Sequence, residues 1–211
     1  MAGSTAVAET LMDRHGQTYA EEAGINLKNT PSPLYRLLVL SVLLSARIRA
    51  DVAVAAAREL SAAGLRSART MDHSTWRDRM KALGRGRYRR FDDRTATMLG
   101  DGARLVLDAW GGDLRTIRDD DPERVREQLM RVPGIGPTGA DIFCREVQGV
   151  WPELEPYVDT KVVDGAERLG LPTTPGWLAR LAEPEELPHL VAGCVRAGLS
   201  RQVADDVMEH V

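Results

Sequence analysis

The chain has 211 residues, of which 43% are hydrophobic and 28% charged, with a formal net charge of -3. These globular values exclude a disordered or collagen-like chain, and no apolar run approaches the roughly 18 residues that a membrane span needs. The length allows one sizeable core or two small lobes, and the mildly acidic balance means that any surface for a polyanion must be local.

The opening stretch MAGSTAVAETLMDRHGQ lacks a basic segment followed by an apolar run and a cleavage site, so no secretory signal is expected and a cytoplasmic address is the default. PLYRLLVLSVLLSA, residues 33–46, is apolar on nearly all sides after Arg36 and predicts a helix buried over most of its surface, the centre of the core. Asp51 is expected to cap a helix through DVAVAAARELSAAG, with Val52, Ala55, Ala56 and Leu60 inward and a stop at Gly64. STWRDRMKAL, residues 74–83, predicts a helix capped by Ser74 and stopped at Gly84. From Asp92 or Asp93 a longer helix runs to Trp110, with Met98, Ala103, Leu105, Val106 and Ala109 as its inward stripe, and GGDLRTIRDDDP follows as loop.

Asp121 then caps PERVREQLM, with Pro122 at the first helical position, where a missing N–H costs nothing. VPGIG ends that helix, TGADIFCREVQGV is helical by spacing, and GVWPELEPY is a proline-interrupted connector. Asp159 is expected to cap a helix from Thr160 to Leu169, and short proline-punctuated helices follow to the end. There is no internal repeat and no heptad array sustained enough for a coiled coil.

Among groups that carry chemistry, Cys144 and Cys194 form no CxxC pair, so neither a disulfide framework nor a four-cysteine metal site can be built, and both read as small buried apolar residues. His15, His73, His189 and His210 show no HExxH or close ligand spacing, so no metal site is expected. The basic stretch RMKALGRGRYRRF gathers Arg79, Lys81, Arg85, Arg87, Arg89 and Arg90, as either a solvated face or a local polyanion surface.

Helix, then VPGIG, then helix is the sequence form of a helix-hairpin-helix. Gly134 and Gly136 would allow positive φ and bare backbone, and the second helix would begin with N–H groups that, with its dipole, suit a phosphate without reading bases. About twenty residues later stands YVDTKVVDGAERLG, with Asp159 before a helix. With the upstream LLSA segment followed by RIRAD, the chain over roughly residues 30–170 resembles the helix-hairpin-helix (HhH-GPD) DNA glycosylases of the endonuclease III superfamily.

That resemblance implies an all-α, two-lobed fold: a helical barrel over residues 32–152, containing the hairpin at about 122–146, and a second lobe from 1–31 plus 153–211 that carries the catalytic aspartate. It implies a DNA N-glycosylase of base excision repair that flips a damaged or mismatched base out of the duplex. Asp159 would be the catalytic carboxylate, with capping alone as its plain reading. Pro133, Gly134, Ile135 and Gly136 would hold the DNA backbone, and Arg87 and Arg90 would touch phosphates. Arg47 would fill the gap left by the flipped base, with Ile48 or Arg49 open as alternatives because the loop is one residue longer than in the family.

Two departures narrow the reading. Bifunctional members carry a Schiff-base lysine where this chain has Thr138, whose hydroxyl cannot form an iminium, so a monofunctional enzyme without lyase activity is expected. Lys161 as a replacement nucleophile competes with an ordinary solvated lysine. The four-cysteine loop is missing, so no iron–sulfur cluster is expected, although the resemblance leaves room for a monovalent cation at the hairpin. The implied partner is double-stranded DNA with a lesion or mismatch, bound by a cytoplasmic or nucleoid-associated monomer without a membrane contact. A catalytically inactive helix-hairpin-helix DNA-binding module is the alternative. Tyr88, Trp110, Trp151 and Tyr157 are aromatic candidates for stacking, with the core as their plain reading.

Overall fold

The computed structural model describes residues 2–89 and 92–211, and the described residues form helices and loops without strands. In chain order they are α1 (Ala2–His15), α2 (Tyr19–Glu22), α3 (Pro31–Leu44), α4 (Ala50–Ala62), α5 (Ala68–His73), α6 (Trp76–Arg85), α7 (Asp92–Trp110), α8 (Pro122–Met130), α9 (Pro137–Val147), α10 (Thr160–Arg168), α11 (Pro175–Leu178), α12 (Leu187–Leu199) and α13 (Arg201–Glu209).

Two hydrophobic cores organise these helices. The first is built around α3, as its near-continuous apolar sequence requires: Leu34, Leu37, Leu40 and Leu43 are fully buried, and α4 and α9 pack against them. Ala20, Ala23 and Ile25 also join this core, which reaches as far as Tyr157. The second core collects Val7, Ala8 and Leu11 of α1 with apolar residues of α10, α12 and α13. Its tightest crossing is α10 on α12, where any Cβ at Gly165 would overlap the Cys194 carbonyl, so only glycine fits.

Polar contacts fasten the ends of the chain together. Arg14 donates to both carboxylate oxygens of Asp206 at 2.7 Å each, and His15 Nε2 meets the same group at 2.7 Å, which pins α1 to α13. The two arginine donors and the histidine hold the Asp206 carboxyl below the usual range for an aspartate.

Several boundaries differ from those expected. Arg49, not Asp51, is the cap residue of α4; Asp51 lies in its first turn, where an acid suits the helix dipole, and pairs with Arg49 at 2.9 Å. Ser74 closes α5, a helix not expected from the sequence, and Thr75 caps α6 through a reciprocal box with Asp78. α6 runs through Gly84 to Arg85, and residues 114–117 form a 3-10 turn within the expected loop. The caps of Asp121 and Asp159 stand as read.

Candidate nucleic-acid interface and carboxylate site

The hairpin is α8, the turn from Arg131 to Gly136, and α9. Val132 accepts the Ile135 amide at 3.0 Å, closing the turn. Gly134 has φ of +92°, and a Cβ there would press within 3.0 Å of Val42 Cγ1, so this glycine serves both the turn and the packing on α3. Gly136 departs from expectation: its φ of -105° is open to any residue, and a Cβ would meet nothing in the chain within 4 Å. Ile135 is buried in the first core, and Pro133 is half-buried.

No side chain caps α9, which begins with Pro137 followed by the exposed Thr138. Its first-turn amides and the positive end of its dipole are therefore presented at the hairpin.

Around this turn lies a cavity of about 330 Å³ lined by Val42, Ser45, Arg47, Arg94, Met98 and Gly134 among others. Arg47 is exposed at its rim, Ile48 packs on the first core, and Arg49 is engaged with Asp51. Lys81, Arg85, Arg87 and Arg89 line a neighbouring open groove, Arg87 with a left-handed φ of +62°. Arg90 lies outside the described residues. Arg79 leaves the expected basic cluster: it is buried, and its guanidinium donates to the carbonyls of Ala96 at 2.7 Å and Ser74 at 2.8 Å, tying α6 to α7 and to the end of α5.

Asp159 stands at the start of α10. Its Oδ1 accepts the amides of Lys161 at 3.0 Å and Val162 at 3.1 Å, while Oδ2 receives Nη1 of Arg145 from α9. Both side chains are largely withdrawn from water, at 9% exposure for Arg145 and 12% for Asp159. The segment that delivers Asp159 is stitched along α9 by further contacts. Tyr157 donates its hydroxyl to Asp141 at 2.7 Å, and the Gln148 side chain accepts the Tyr157 amide at 2.9 Å. Burial and the Asp141 carboxylate push the Tyr157 phenol well above its usual range.

Asp141, Arg145 and Gln148 were not singled out from the sequence, yet their spacing of four and three residues puts them on one face of α9. A polar stripe along a helix that otherwise buries Ala140, Phe143, Cys144 and Val147 is the signal that marked them. On the same face Thr138 precedes Arg145 by seven residues, about 10 Å along the axis. The hairpin tip and Asp159 are thus served by one helix.

Tyr88, Trp110, Trp151 and Tyr157 are all buried in the first core, and Tyr88 also lines the cavity at the hairpin turn. Lys161 is exposed and meets Asp164 at 3.4 Å. The cysteines do not fit a four-thiolate cluster: Cys144 lies in the first core and Cys194 in the second, and burial pushes each thiol up to about 12. No helix among the described residues is long and apolar enough to cross a membrane.

No family model matches this chain, and no curated protein does. Among solved structures, a non-covalent endonuclease III–DNA complex is 18% identical, with a TM-score of 0.50 over 80% of this chain and 73% of that one. A trapped endonuclease III–DNA covalent intermediate, with an estranged adenine, is 18% identical, with a TM-score of 0.49 over 75% of this chain and 70% of that one. The all-helical fold is thus that of endonuclease III.

Proposed function

We propose that the protein is a DNA N-glycosylase that lifts a damaged or mismatched base from the duplex and hydrolyses its N-glycosidic bond. The observation that carries the reading is the bare hairpin turn and Asp159 held along a single helix, α9. Gly136 supports it independently: the chain's own packing gives no reason for a missing side chain there, whereas close approach of a phosphate backbone does.

In this reading the amides at the start of α9 and the exposed Arg47, Arg87 and Arg89 meet phosphates, which position the duplex without reading its sequence. Arg90 belongs to the same proposal through its place in the basic stretch. Eversion costs a few kcal/mol, least at damaged or mispaired bases, which supplies part of the selectivity. As the base leaves, positive charge builds on the sugar, and the Asp159 carboxylate stabilises it or directs a water onto the anomeric carbon. Thr138 offers no amine, so the reading excludes a Schiff base at that position.

Duplexes carrying uracil, T opposite G, A opposite 8-oxoguanine, oxidised pyrimidines or alkylated purines test this. Release of free base that disappears in Asp159→Asn while duplex binding persists is the expected result. A binding module without chemistry is the competing reading, favoured by the occupation of Oδ2 by Arg145; it holds if no lesion yields base although salt-dependent binding is present.

A further inference from the structure

Asp159 has two carboxylate oxygens with separate duties. Oδ1 is spent on the amides that open α10, so Oδ2 is the oxygen left for a substrate, and Arg145 Nη1 sits on it. A carboxylate whose charge is already met by a guanidinium gives little to a developing sugar cation, and two cations cannot share that oxygen without repelling each other. Resting on the glycosylase reading, we propose that Arg145 is a positioning residue that holds Oδ2 in the DNA-free protein and must yield it to the cationic sugar during the reaction.

The surroundings suit such an exchange. Gln148 and Asp141 hold Tyr157, and two amides hold Oδ1, so the carboxylate keeps its place when Arg145 lets go. Arg145 also shares α9 with the hairpin turn, so a duplex gripped there bears on the helix that carries the latch.

Two abasic analogues in the same duplex separate charge from shape: a pyrrolidine, with a cationic nitrogen in place of the anomeric carbon, and a neutral tetrahydrofuran. In Arg145→Gln the preference for pyrrolidine over tetrahydrofuran should rise about tenfold over the wild type, while Arg145→Lys keeps the wild-type ratio and Asp159→Asn abolishes it. In the wild type, the Arg145 side-chain Nε resonance should move on binding the pyrrolidine duplex and stay in place with tetrahydrofuran; this reading stands even if Arg145→Gln fails to fold. An unchanged or lowered ratio in a folded Arg145→Gln, or an Arg145 resonance indifferent to both analogues, overturns the exchange. If the wild type prefers neither analogue to undamaged duplex, the glycosylase reading falls and the exchange with it.

Discussion

Arg145 on the second hairpin helix and Asp159 at the start of the next helix form an ion pair largely hidden from water, joining the two elements to which the proposed chemistry assigns DNA gripping and base release. Asp159 therefore carries structural weight besides any catalytic role. Asp159→Ala removes a helix cap worth about 1 kcal/mol and leaves the Arg145 charge unpaired at about 3–5 kcal/mol, for a combined loss of about 4–6 kcal/mol. Asp159→Asn keeps an oxygen for the cap and should lose less. Denaturant midpoints falling in the order wild type, Asn, Ala check this; equal midpoints for all three would remove the structural role.

The two hairpin glycines should behave in opposite ways. Gly134→Ala forces a side chain into a left-handed backbone against Val42 and should cost about 1–3 kcal/mol in thermal or denaturant unfolding. Gly136→Ala should melt like the wild type but bind duplex DNA more weakly, because its Cβ projects into space left open by the protein. Unchanged affinity in Gly136→Ala would place the duplex elsewhere.

The basic residues divide by burial. Arg87→Ala and Arg89→Ala should each lower the slope of log affinity against log salt by about 1, with little sequence dependence. Arg87→Gly should lower the slope equally yet stabilise the fold by about 1 kcal/mol, since glycine accepts the φ of +62° without strain. Arg79→Ala should instead unfold the protein more readily, because it strips buried carbonyls of their donor. A salt slope that moves for Arg79→Ala and not for Arg87→Ala would reverse this division.

Acid should loosen the junction between α1 and α13. The folded pKa of Asp206 lies below its unfolded value of about 3.9, so its contribution is present above that value and is lost as pH falls through the folded one. Asp206→Asn should lower the melting temperature at neutral pH and flatten its decline below about pH 4. Parallel melting curves for the two proteins across that range would contradict the assignment.

Thr138→Lys tests the register of the hairpin. Thr138 is exposed on the same face of α9 as Arg145, about 10 Å before it, a span that a lysine side chain partly bridges. Borohydride should trap a covalent adduct between this variant and a lesion-bearing duplex, and none with the wild type. An active variant that yields no adduct would show that position 138 does not reach the sugar.

The sequence by itself determined the helical class, the buried character of α3, the hairpin turn and the caps at Asp121 and Asp159, because each depends on neighbours within a few residues. The apolar run of residues 33–46 has no exposed face to offer, and Pro-Gly-Ile-Gly leaves the chain few ways to turn. Only tertiary structure decided which charges face water. Arg79 and Arg87 stand in one basic stretch, yet one bonds buried carbonyls while the other lines an open groove, a difference set by where α5 and α7 lie. The pairing of Arg145 with Asp159 likewise spans 14 residues and a proline-interrupted connector whose path no local rule gives. Helix caps and turns are short-range balances of backbone hydrogen bonds, whereas burial and charge pairing depend on segments that meet only when the whole chain has folded.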